Sequence, residues 1–256
     1  MSGGGERDYA QRREGRKGRP DPYRRPRFPV PAGWRRPRRR RVRAIRDRLR
    51  ELYGRKDNDP HGDPIHELVL TILSQNTNDN NRDTAYRGLR DSLGSWEAIR
   101  GAPTDAVIEA IRPGGLANTK GPRIQDVLER LGPDPDLDWL ERAPRAVAID
   151  YLTALPGVGR KTAACVMIFS FDRPEIPVDT HVHRVGGRLG LFRERAPFEE
   201  AHDEMLAITD PDDAYELHMN LIEHGRAVCR PKPRCGECGL RRMCIAAREG
   251  RVEPAG

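Results

Sequence analysis

The stretch Leu155-Pro156-Gly157-Val158-Gly159-Arg160-Lys161-Thr162-Ala163 constrains the fold of this chain more than any other. Ahead of it, Ala148, Tyr151, Leu152 and Leu155 recur at helical spacing. Pro156 lacks a backbone donor and ends that helix. Gly157 and Gly159 allow a tight turn whose backbone can approach another molecule closely. The apolar run from Ala163 to Ile168 then reads as a second, buried helix. Helix, glycine hairpin and helix aim the hairpin amides and the second helix's N-terminus in one direction. That makes an anion site, with phosphate its commonest occupant. The competing reading is an ordinary helix–helix corner with a solvated lysine.

The 256 residues around this stretch leave room for one large domain or two small ones. Nothing resembles a signal peptide, no run approaches the apolar length of a membrane span, and 33% of residues are charged. No membrane partner is therefore expected, and the cytosol is the expected compartment. Charge is uneven. Residues 1–40 hold 14 Lys+Arg against 4 Asp+Glu, a net of +10; the rest, with 32 basic and 35 acidic residues, is net −3. Residues 1–36, rich in Gly, Pro and Arg, cannot bury enough surface to fold alone. A detached basic arm adds salt-sensitive affinity for nucleic acid; a merely solvated extension is the alternative.

Further along, Val42, Ile45, Leu49 and Leu52 form one helical stripe. Asp63-Pro64 is a capped helix start, and Ile65 to Leu73 reads as a central helix. The polar run Ser74 to Asn81 caps the next helix. Trp96 and residues 104–112 mark short helices, and Pro113-Gly114-Gly115 breaks the chain. Ile124, Val127, Leu128 and Leu131 mark a further helix, and two late helices fall near 198–208 and 211–227. Asp179 reads as a helix N-cap.

Cys229, Cys235, Cys238 and Cys244 follow the spacing Cys-x5-Cys-x2-Cys-x5-Cys. Four thiolates so close suit a tetrahedral zinc or a [4Fe–4S] cluster, and spacing alone does not separate the two. A cluster held by four cysteines has no open iron. Its expected role is to fix a loop bearing Arg230, Lys232, Arg234, Arg241 and Arg242, cations suited to phosphates. Cys165 reads as a small core residue.

The hairpin, the cysteine loop with Lys232-Pro233-Arg234-Cys235-Gly236, and Val178-Asp179-Thr180-His181 resemble the DNA glycosylases related to endonuclease III. Leu73-Ser74-Gln75-Asn76-Thr77 and Gly115-Leu116-Ala117-Asn118-Thr119-Lys120 are similar to two further family segments. The first cysteine gap is five residues here, where the family usually has six. The resemblance covers about residues 40–246. It implies an all-α fold of two helical subdomains flanking a DNA-binding cleft: residues 63–180 as a bundle with the hairpin, and residues 37–62 and 181–248 as a discontinuous domain with an iron–sulfur cluster.

The same resemblance assigns roles. Lys161 is the nucleophile and Asp179 the catalytic carboxylate. Gly157, Val158, Gly159 and Arg160 grip the DNA backbone, with Arg230 and Lys232 in support. Asn76 aligns with a glutamine that enters the gap left by an extruded nucleotide, with Gln75 just before it. Leu116 is the wedge candidate, against the reading of a core leucine after a turn. The implied activity is a bifunctional glycosylase and abasic-site lyase that removes oxidised pyrimidines from double-stranded DNA as a monomer near the nucleoid. The alternatives are a thymine-mismatch or modified-cytosine glycosylase on the same scaffold, and a non-catalytic DNA-binding module with structural zinc or iron.

Overall fold

The computed structural model describes residues 33–252. Most of the basic tail expected over 1–36 thus lies outside the described residues. Its last member does not: Arg36 forks onto Glu204 with bonds of 2.6 and 2.8 Å. Among the described residues the regular structure is helical, with no strand.

Helix α1 (Arg39–Tyr53) buries Val42, Ile45 and Leu49 on one stripe. Leu52, expected on the same stripe, is 39% exposed and lies against the cysteine loop; a β-carbon on Gly239 would come within 2.9 Å of it. Helix α2 (Pro64–Leu73) starts where the Asp63 carboxylate accepts from the His66 amide at 2.8 Å. It is buried on nearly every side, and each of Leu68, Ile72 and Leu73 contributes roughly 1.5–3 kcal/mol by burial. Asn78 caps α3 (Asp79–Leu93), accepting from the Asn81 amide at 2.9 Å. Short helices α4 (Trp96–Gly101) and α5 (Thr104–Ala110) lead to α6 (Ala117–Leu131), and then α7 (Arg145–Thr153) and α8 (Arg160–Cys165) flank the glycine hairpin. Helices α9 (Thr180–Leu189), α10 (Phe198–Ile208), α11 (Ala214–Ala227) and α12 (Ile245–Arg248) complete the chain.

These elements form two hydrophobic cores. One draws on α2 to α7 and the hairpin; the other on α1 and α9 to α12. The chain passes between them at Val166–Ser170, wound as one π-helical turn continuing α8. The wider turn shifts the side-chain register. Val166 and Met167 pack in the first core and Ile168 in the second, joined by Ile176 and Val178. The side chains of this stretch alternate between the cores, since Phe171 returns to the first before Ile176 and Val178 settle in the second, short of the boundary expected at residue 180.

Candidate active site

The hairpin is tied to the first core by its own apolar residues. Leu155 and Val158 are buried, and the Val158 amide donates to the Leu155 carbonyl at 3.1 Å. Gly157 holds a φ of 69°, which a side chain would resist. The Arg123 side chain lies where a β-carbon at Gly157 would go, with its Nε 2.3 Å from that point. The first α8 amide to close on a backbone carbonyl is that of Ala163, onto Gly159 at 3.0 Å. A helix leaves its earlier amides unpaired within itself, which is what an anion requires.

Two residues expected to face DNA turn their side chains inward. Val158 sits in the apolar core. Arg160 is 5% exposed, with Glu175 at 3.4 Å and Asp203 at 3.7 Å. Arg145 also pairs with Glu175. Burial of the guanidinium is possible only among such carboxylates. Any contact from these two positions to a backbone phosphate therefore comes from the main chain.

Lys161 and Asp179 are both half-buried. Asp179 caps α9 by accepting from the Val182 amide at 2.7 Å, so its carboxylate rides on a rigid helix start. The segment before it is held by a buried histidine and lies near a second. The His202 ring accepts from the Val178 amide at 3.4 Å and meets the Ile176 carbonyl at 3.1 Å. The His218 ring is buried beside Pro177, and its Nδ1 has no hydrogen-bond partner among the described residues. Burial is the main cause holding both imidazoles neutral: His202 lies well below its ordinary pKa and His218 is lowered to about 4. Asp179 pulls His218 back up and Lys161 pushes it further down. The buried Cys165 thiol, raised to about 11 chiefly by burial, feels Lys161 and Asp179 with the same opposing signs. The ammonium and the carboxylate thus act on the same two buried groups, from helices α8 and α9.

The polar turn after α2 and the glycine turn before α6 each hold a residue in the left-handed region: Asn76 at φ 51° and Leu116 at φ 52°. Leu116 is 54% exposed, so it is not a core leucine. Asn76 is exposed, whereas Gln75 is half-buried and its Oε1 accepts from Arg123 Nη1 at 2.9 Å. Of the two polar residues, Asn76 is the one facing solvent.

All four clustered cysteines line one small cavity, walled by Val185, Leu189 and Val228. Among the described residues, no group of three or more His, Cys, Asp or Glu is arranged to hold a single metal ion. Four cysteines lining one cavity are a donor set that fits a tetrahedral zinc or an iron–sulfur cluster. Arg188 fixes the loop by donating to the Arg230 and Pro231 carbonyls at 2.7 and 2.9 Å and to Cys229 Sγ at 3.4 Å. Arg230 and Lys232 are exposed on its outer side.

Sequence reading gave no role to Lys120, Arg123, His202 or His218. One signal was available. Lys120 falls four and seven residues before Ile124 and Val127, on the apolar stripe of α6, where a solvated lysine has no place.

Residues 69–210 match the HhH-GPD superfamily of base excision DNA repair proteins. The endonuclease III of Thermotoga maritima is 33% identical over 207 residues, which span 78% of this chain and 92% of that protein. The endonuclease III of Sulfolobus acidocaldarius is 34% identical over 180 residues, 69% of this chain and 79% of its own. The structure of a trapped endonuclease III–DNA covalent intermediate, an estranged-adenine complex, matches with a TM-score of 0.71 at 27% identity, covering 83% of this chain and 98% of the other. No helix among the described residues is long and apolar enough to cross a membrane.

Proposed function

The chain belongs to the HhH-GPD superfamily of base excision DNA repair proteins, and from that premise we propose that Lys161 is the nucleophile and Asp179 its carboxylate partner. The protein is a DNA glycosylase with abasic-site lyase activity. A base inside a duplex is out of reach, so the nucleotide must leave the stack first. Backbone amides of the hairpin hold the phosphates, Asn76 and Leu116 fill the vacated space, and Arg230 and Lys232 grip the flanking backbone.

The neutral amine of Lys161 attacks C1′ of the extruded sugar. The bond to the base breaks, and the base leaves with that electron pair and takes up a proton. The sugar ring opens to an imine on Lys161. Loss of a C2′ proton then expels the 3′ phosphate and nicks the strand. A primary amine is the only side chain that forms such an imine. Asp179 stabilises the positive charge that develops on the sugar and receives the lysine proton. The observation carrying this reading is that Lys161, in the first turn of α8 after the glycine hairpin, and Asp179, fixed as the α9 cap, are both half-buried and neither is locked in an ion pair among the described residues. The relative whose covalent DNA intermediate was trapped supports it.

Oxidised pyrimidines are the proposed substrates. The protein acts as a monomer in the nucleoid-containing cytoplasm. Cys229, Cys235, Cys238 and Cys244 hold a [4Fe–4S] cluster that supplies no bond-breaking chemistry and stiffens the loop carrying Arg230 and Lys232. The test is a panel of duplexes, each with one damaged base or an abasic site, incubated with and without borohydride. Wild type traps a covalent adduct on abasic and oxidised-pyrimidine duplexes; Lys161→Ala traps none. An adduct that survives Lys161→Ala sinks the assignment.

A further inference from the structure

We propose that Lys120 is a positioning residue that fixes the Asn76 turn and the Leu116 turn at a set separation, so that the two enter the duplex as one wedge. Its side chain is 1% exposed. Its Nζ donates to the Leu73 carbonyl at 2.7 Å and to the Gly114 carbonyl at 2.8 Å. Leu73 is the last residue of α2, three before Asn76; Gly114 is two before Leu116. One ammonium thus pins the stems of both turns from inside. It also sits on the C-terminal end of α2, where the helix dipole favours a cation.

The two turns need such a pin. Asn76 and Leu116 are exposed residues in the left-handed region, a conformation that lasts only where the surroundings enforce it. Neither has apolar packing of its own to do so. Arg123, one turn further along α6, extends the tie: it holds Gln75 and lies over Gly157 of the hairpin. Burying an ammonium is expensive, and burial does push the Lys120 pKa down. A shorter neutral donor on one turn would satisfy one carbonyl, but only a long side chain with several donors reaches both.

This inference rests on the glycosylase reading. Its test uses the full chain and two duplexes of one sequence, carrying either an oxidised pyrimidine or a preformed abasic site, under single-turnover conditions. An intact base must be drawn from its stack, whereas an abasic site has no base left to unstack. Lys120→Met is expected to slow excision of the base at least about tenfold more than it slows cleavage at the abasic site. It is also expected to reduce the fluorescence rise of a 2-aminopurine placed opposite the lesion. In a Leu116→Ala background, Lys120→Met should add less than about threefold to the excision defect, because no wedge remains to be placed.

Equal slowing on both duplexes, or an undiminished effect in the Leu116→Ala background, overturns the proposal and leaves a purely structural lysine. If Lys120→Met does not fold, Gly115→Ala takes its place. Its methyl meets nothing within 4 Å, but its φ of 68° disfavours a side chain, so it disturbs the Leu116 turn from outside the core. It should give the same split between substrates, and equal slowing overturns the proposal again. Failure of wild type to cleave the abasic duplex or to be trapped by borohydride would instead count against the glycosylase reading.

Discussion

Asp179 caps α9 and is also the carboxylate of the proposed mechanism, and one substitution can separate the two roles. Asn caps a helix about as well as Asp but carries no charge. Asp179→Asn is therefore expected to keep the melting temperature of wild type while lowering base excision about a hundredfold or more. Asp179→Ala should lower both, with about 1 kcal/mol of stability lost with the cap. Thermal melts beside single-turnover rates make the distinction. His218 gives a second prediction at this scale. Its imidazole is neutral in the fold down to about pH 4, whereas in the unfolded chain it binds a proton below about pH 6.5. Between those values the unfolded state holds more protons, so stability falls as pH falls, by about 2 kcal/mol at pH 5 from this group. Denaturant unfolding at pH 7 and pH 5 should show that loss, and His218→Gln should remove about that part of the difference. An unchanged pH dependence in the variant would show that His218 is not the group responsible.

At the scale of elements, the hairpin depends on one glycine conformation and one arginine. Gly157→Ala places a methyl at φ 69° and against the Arg123 side chain. The arginine can swing aside, but it then releases Gln75. The expected result is a loss of about 1–3 kcal/mol in stability and about tenfold weaker binding to abasic duplex, measured at one fixed salt concentration.

Elements of this kind were legible in the sequence where the signal is local. Asp63 and Asp179 cap where their side chains and spacing say they should, and the cap of α3 falls within the expected polar run, at Asn78. What local pattern could not carry is long-range. Arg160 looked like a phosphate ligand beside a lysine, yet its partners Glu175 and Asp203 lie 15 and 43 residues away and draw it inward. The choice between Gln75 and Asn76 turns on Arg123, 48 residues from Gln75. The π turn adds one residue to a helical winding and leaves no trace in periodicity.

For the whole molecule, the cysteine loop and the shared segment between the cores matter most. The loop is fastened by Arg188 from α9 and covered by Leu52 from α1, so its order should depend on what the four thiols hold. Purified protein is expected to absorb broadly in the visible and to contain about four iron atoms per chain. Cys238→Ser should lose most of both and unfold at a lower temperature; a colourless wild type with one zinc per chain would refute the cluster assignment. The other feature is the turn at Val166–Ser170, whose neighbouring side chains are committed to opposite cores. A single length of chain so placed works as a rivet and not as a hinge. Closing the two lobes on a ligand would draw side chains of this turn out of one interior or the other. The bending is therefore expected in a double helix that meets this body, and sites whose stacking is already weakened should yield first.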